Sequence, residues 1–159
     1  MKKLSSDQLR NLIFGAEDSI VSTVGVLFGI ASVQEYSTKQ VLIVGLVLIV
    51  VEALSMGVGS FLSESSAKEQ DSNTLMNPVL DGIIMFFSYL FTGFVIVAPY
   101  ATLPIQFAKY VSVGFAVTLL FLLGFSPKKS VKSAFRMVLV AGTALVVAYL
   151  IANTLEVLI

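Results

Sequence analysis

The sequence predicts an all-α, polytopic membrane protein with five transmembrane helices and its N-terminus in the cytoplasm. Three observations carry this. Hydrophobic residues make up 57% of the 159-residue chain and charged residues only 13%, where soluble domains carry about a quarter charged. Mean hydropathy is +0.94, more apolar surface than a water-soluble globule of this size can cover. The apolar residues also gather into five runs of about 20 residues or more, the length that crosses ~30 Å of hydrocarbon as a helix.

The first run spans residues 11–33, "NLIFGAEDSIVSTVGVLFGIASV". Ser5 or Ser6 followed by Asp7 suits an N-cap for a short amphipathic lead-in to it. The run is too long for a cleavable signal and lacks a small-residue cleavage site. The second run covers 39–63. After it comes "ESSAKEQDSNTLMN", residues 64–77, the one hydrophilic connection of any length. Asn77-Pro78 reads as the cap and first helical residue of the third run, 79–98. Pro99 and Pro104 bracket the turn into the fourth, 105–126, which Ser126-Pro127 ends. The fifth covers 135–158. No internal repeat is visible, and residues 1–159 read as one transmembrane domain.

Orientation follows from the cations. With a cytoplasmic N-terminus, Lys2, Lys3, Arg10, Lys68, Lys128, Lys129, Lys132 and Arg136 fall inside, and only Lys39 and Lys109 outside. That is a positive-inside pattern, and it fits an odd number of spans. The C-terminal end, with Glu156, then lies outside or in a lumen. Ten acids balance ten bases, so no basic field argues for nucleic acid. There is no Cys and no His. Disulfides and thiolate metal sites are excluded, and a metal ion would have to use carboxylate, hydroxyl, carbonyl or thioether ligands.

Carboxylates within the spans are the informative residues, because charge in hydrocarbon costs several kcal/mol. Asp18 lies about 10 Å along the helix from Asn11. Helical spacing puts Gly15, Asp18, Ser22, Gly25 and Gly29 on one stripe of small or polar residues. Gly25 and Gly29, four apart, would let another backbone approach closely. In the second span Gly45, Glu52, Met56 and Gly59 share a face. The two spans run antiparallel, which sets Asp18 and Met56 at similar depth and Glu52 one turn deeper. Such a set, with Ser22 and Ser55 as further oxygen donors, suits a dehydrated divalent cation. The thioether tilts preference toward Fe²⁺ or Mn²⁺ and away from Mg²⁺ or Ca²⁺. Protons would compete for Asp18 and Glu52, which is the simplest route to proton-coupled exchange.

Bland readings stand beside these. A methionine in a transmembrane helix also serves as packing filler. Glu17 faces away from the stripe and reads as a snorkelling or capping charge. Asp81 sits where an acid favours a helix N-terminus. Glu64, Glu69 and Asp71 read as a solvated turn, and Lys109 and Glu156 as solvated groups near the outer interface. Phe86, Phe87, Phe91 and Phe94 read as packing or lipid contact.

At these residues the chain resembles the vacuolar iron transporter family. "FGAEDSIVSTVGVLFGIA", "ALSMGVGSFLSESS" and "NPVLDGIIMFFSYLFTGFVIVAPY" are similar to its motifs in the first three helices, in order and spacing. The resemblance implies a homodimer whose cation path runs along the subunit interface, lined by the first two helices. It implies movement of Fe²⁺, often also Mn²⁺, out of the cytosol in exchange for protons. Asp18 matches the family's intramembrane aspartate and Met56 its intramembrane methionine. Leu48 stands where some members carry a glutamate, and Glu52, one turn along, replaces a usual glycine. Ser19 replaces the frequent glycine after the aspartate. Residues 64–77 are far too few for the glutamate-rich cytoplasmic metal-binding domain of many members.

The sequence therefore reads as a transporter and not an enzyme. Its expected partners are divalent metal ions and protons, the lipid bilayer and a second copy of the chain. No permanently bound cofactor is expected, Fe²⁺ or Mn²⁺ being the substrate. The membrane would be the cell membrane in a prokaryote and a vacuolar-type membrane in a eukaryote. Two other readings fit the composition. One is a metal-independent membrane scaffold whose small-residue stripes serve only packing. The other is a small proton-coupled exporter of organic cations, which needs the acids but not the thioether.

Overall fold

The structure is a computed structural model that describes residues 5–32, 36–70, 77–127 and 129–158, with the side chains of 152 and 155–158 excepted. Lys2, Lys3, Asp71, Lys128 and the side chain of Glu156 lie outside the described residues. Five helices account for nearly all of the described residues: α1 (Ser6–Ser32), α2 (Thr38–Gln70), α3 (Pro78–Thr102), α4 (Ile105–Phe125) and α5 (Val131–Leu158). All five are long and apolar enough to cross a membrane, and no strand occurs among the described residues. Hydrocarbon offers no partner for backbone N–H and C=O groups, so each crossing segment must satisfy its own as a helix.

The helix ends show where the sequence signals are incomplete. Ser5 accepts from the Gln8 N–H at 3.1 Å and Gln8 accepts in return from the Ser5 N–H at 2.9 Å. This reciprocal cap makes the expected lead-in and the first span one continuous helix. Ser37 and Gln40 cap α2 in the same way, and the Asn77 side chain accepts from the Leu80 N–H ahead of Pro78. Residues 64–70, expected in a loop, instead extend α2. At about 50 Å this helix overruns the ~30 Å hydrocarbon core, and Ala67, Lys68, Glu69 and Gln70 are good helix formers in water. Pro99 does not open the third turn as expected but lies inside α3, while Pro104 sits at the N-cap of α4. Pro lacks only one donor, and transmembrane helices tolerate that loss when packed against neighbours. Pro99 is buried among them.

Helices alternate in direction. The Arg10 guanidinium near the start of α1 pairs with Glu64 near the end of α2. Asp81, in the first turn of α3, interacts with Glu64. Glu17 of α1 shares a cavity with Pro127 and Ser133, at the end of α4 and the start of α5. These five ends therefore lie together. At the opposite end Leu27, Ala31, Val41, Val97, Tyr100 and Ala108 form one apolar cluster.

The bundle is built around α1, which packs against all four other helices. Ile20 and Val24 of α1 meet Ile96 of α3, Ala116 and Leu120 of α4 and Ala141 of α5 in a second cluster. The main partner of both α1 and α2 is α3, rather than α1 and α2 being each other's. On α2 the buried row Val41, Gly45, Ile49, Ala53 and Gly57 repeats every four residues, and small residues on it admit α3 closely. A Cβ on Gly82 of α3 would lie 2.7 Å from the Gly57 carbonyl oxygen. Hydroxyls then pin helix to helix: Ser88 donates to the Leu12 carbonyl, Ser19 to the Tyr89 carbonyl at 2.7 Å, and Ser112 to the Ile96 carbonyl at 2.9 Å. Large apolar side chains elsewhere face outward, Phe91 at 73% and Leu139 at 69% exposure, as a hydrocarbon surrounding permits. Of the four expected aromatic packing residues, Phe87, Phe91 and Phe94 are on this surface, and Phe86 lies against Gly57. Lys109 is not simply solvated, since its ammonium sits over the Phe28 and Tyr110 rings.

Candidate functional site

Asp18 stands about 18 Å along α1 from Ser6, and Glu52 about 21 Å along α2 from Thr38. Both are mid-helix and half-buried, and their carboxylates interact electrostatically. No cationic side chain pairs with either among the described residues. Two like charges held near each other without a counter-ion leave a place where positive charge is favoured.

A third helix completes this place. Tyr89 of α3 is fully buried and interacts electrostatically with both Asp18 and Glu52. Its hydroxyl lies 2.7 Å from the Ser22 hydroxyl, and Ser22 donates to the Asp18 carbonyl at 2.7 Å. Ser22 has one hydroxyl proton, which that carbonyl takes, so Tyr89 is the donor in their shared bond. The phenol oxygen keeps its lone pairs for a cation or for a protonated carboxyl. One turn of α1 is thus fixed to α3 at the level of Asp18, a second time by the Ser19–Tyr89 bond. Sequence reasoning missed Tyr89. The signal that finds it is chemical: a transmembrane tyrosine between Met85 and Gly93, a turn away on either side, points its hydroxyl into protein, where it needs a partner.

The other expected site residues separate. Met56 is half-buried one turn along α2 from Glu52. Ser55 is exposed, and an added Cβ at Gly59 meets nothing within 4 Å. Neither Ser55 nor Gly59 therefore contributes inside one protomer; both open onto a bare flank of α2 with Leu54, Val58 and Leu62. The small-residue stripe of α1 is not one surface. Gly15 packs on Met85 and Ser88 of α3, whereas Gly25 meets Ala148 of α5, and Gly29 is buried. Gly15 and Gly25 thus pack against two different neighbours. Among the described residues, no group of three or more Asp, Glu, His or Cys is arranged to hold a metal ion. One protomer offers two carboxylates with the Ser22 and Tyr89 hydroxyls beside them.

A second polar locus lies at the end shared by the α1 and α3 starts. Glu64, expected on a solvated turn, is buried and paired with Arg10, because α2 continues as a helix and carries it inward. Asp81 is 2% exposed, and its carboxyl interacts with Asn11 of α1 and with Glu64 of α2. Asp81 is thus more than a helix-terminal charge.

The model of the VIT family matches residues 9–75 and 68–153, two stretches that meet where α2 ends. Vacuolar iron transporter homolog 4 of Oryza sativa subsp. japonica is 37% identical over 60 residues, covering 38% of this chain and 28% of that protein. The vacuolar iron transporter of Toxoplasma gondii (strain ATCC 50861 / VEG) is 35% identical over 65 residues, covering 41% of this chain and 21% of that protein. The matched stretches thus span less than a third of these relatives' own length. The family match extends over nearly all of the helical bundle, Asp18, Glu52, Met56 and Tyr89 included, and this multi-pass integral membrane protein belongs to the VIT family, that of the vacuolar iron transporters.

Proposed function

We propose that the chain carries divalent transition-metal ions, Fe²⁺ and/or Mn²⁺, across the membrane from the cytosolic side in exchange for protons, as a homodimer. The observation that carries this reading is the juxtaposition of Asp18 and Glu52 in mid-bundle, unpaired by any cation among the described residues and bordered by the Tyr89 hydroxyl. The names of the relatives, iron transporters, support the choice of metal. The skewed Lys/Arg distribution supports the cytoplasmic N-terminus.

Asp18 and Glu52 neutralise the ion and exchange protons for it. Met56, one turn from Glu52, supplies a soft ligand that favours Fe²⁺ over Mg²⁺. Ser22 keeps oxygen lone-pair capacity, and Tyr89 positions it. Two carboxylates without a third suit an ion that must leave again. Ser55 and Gly59 lie on the bare flank of α2, which is where a path between two copies would recruit them. The reading is that of a transporter, with chemistry limited to ligand and proton exchange.

Proteoliposomes test it, with uptake of Fe²⁺, Mn²⁺ and Mg²⁺ measured in turn against an internal pH dye. Wild type takes up Fe²⁺ or Mn²⁺ with an opposing proton signal, and Asp18→Ala, folded by circular dichroism, takes up neither. Met56→Leu lowers Fe²⁺ uptake several-fold relative to any Mg²⁺ leak. Equal metal flux in wild type and Asp18→Ala sinks the proposal.

A further inference from the structure

Glu17 is the one acid of the α1 span that the conduit does not use. It is turned about 100° round the helix from Asp18 and faces α4 and α5 rather than α2. There it lines a cavity of about 290 Å³ with Gly124 and Pro127 of the α4 end and Ser133 and Arg136 of the α5 start. Its carboxylate has no hydrogen bond or ion pair among the described residues. Ser133, Arg136 and Val140 also line an adjoining cavity of about 690 Å³, where Lys132 and Ser130 join them and Phe135 and Leu139 form the apolar side. Lys132 and Arg136 are exposed and form no ion pair among the described residues.

The two cavities share Ser133, Arg136 and Val140 and so make one recess. Glu17 and Arg136 both line the smaller cavity, Lys132 and Ser130 line the larger, and Ser133 lines both. An apolar wall, Leu139 and Val140, leads away along α5. The recess opens at the α4–α5 turn, where lipid headgroups begin, and runs inward to Glu17 beside Asp18. We infer that it is a binding site for an aminophospholipid, with the phosphate on Arg136 and Lys132, the ammonium against Glu17 and an acyl chain along Leu139 and Val140. Guanidinium and ammonium groups are the side chains that hold phosphate oxygens, and basic pockets between transmembrane helices bind phospholipid headgroups. An acidic lipid alone would leave Glu17 unanswered, and a free phosphate or phosphoethanolamine would leave the apolar wall bare.

Native mass spectrometry of the purified full chain decides this, with phosphatidylethanolamine and phosphatidylglycerol added in turn to wild type, Glu17→Gln and Arg136→Gln. Thermal unfolding checks each variant, and Lys132→Gln replaces Arg136→Gln if the latter unfolds. Glu17→Gln lowers phosphatidylethanolamine retention roughly fivefold or more, the loss of one charge-assisted contact, and does not lower phosphatidylglycerol retention. Removing the cation lowers both. Inorganic phosphate and phosphoethanolamine at millimolar concentration fail to displace the lipid. The inference is overturned if Glu17→Gln changes neither lipid or both equally, or if the soluble anions compete as well as the lipid does.

Discussion

Ser22 has one proton to give, and that fact settles the hydrogen-bond order at the candidate conduit. Its bond to the Asp18 carbonyl makes Tyr89 the donor. Tyr89→Phe therefore removes one buried hydrogen bond without a change of ring volume. The expected cost is about 1 kcal/mol, read as a drop of a few degrees in the melting temperature, with a several-fold slower Fe²⁺ uptake. Glu52→Gln keeps the shape of the side chain and halves the local negative charge. It should weaken Fe²⁺ uptake by about tenfold or more, the scale of one lost charge contact; wild-type uptake in this variant would remove Glu52 from the conduit. Asp18 and Glu52 were legible in the sequence because a carboxylate in an apolar run stands out. Tyr89 was not, because an aromatic ring inside an apolar run does not stand out. Whether its hydroxyl faces inward depends on which helix α3 packs against.

The contact of α2 with α3 rests on small residues placed four apart, and each glycine can be ranked by what a methyl group would meet. A Cβ on Gly82 approaches the Gly57 backbone oxygen at 2.7 Å. Backbone cannot swing aside, so Gly82→Ala should destabilise by about 1–3 kcal/mol. Gly59→Ala meets open space and should leave the protomer as stable or more so, by roughly 0.5–1 kcal/mol from helix propensity. Gly59→Leu separates protomer from assembly. If the bare flank of α2 covers a second copy, light scattering shows a lower dimer fraction at an unchanged protomer fold. The existence of five helices was legible from hydropathy alone. Their ends were less so: residues 64–70 are polar because they leave hydrocarbon, not because they leave the helix, and Pro99 reads as punctuation although the packed bundle absorbs it.

Across the molecule, the Arg10–Glu64 pair closes the end where α1 begins and α2 leaves the bundle. The Glu64 side chain is 7% exposed and that of Arg10 62%, so the two are not equivalent. Arg10→Ala strands a buried carboxylate beside Asp81, whereas Glu64→Gln leaves an arginine that water can solvate. The first variant should be the less stable of the two, by about 1 kcal/mol or more given the exposure of Arg10, a ranking that thermal unfolding in detergent tests directly. No sequence pattern showed this pair, since it joins residues 54 apart through the tertiary placement of α2 beside α1.

The position of α1 has a consequence for movement. A strut gripped by four neighbours cannot piston or swivel without unseating them together. Asp18 therefore keeps its station while the surroundings change. Any alternation of access to it would have to carry α2 and α3 together, since these two helices share the closest contact of the bundle.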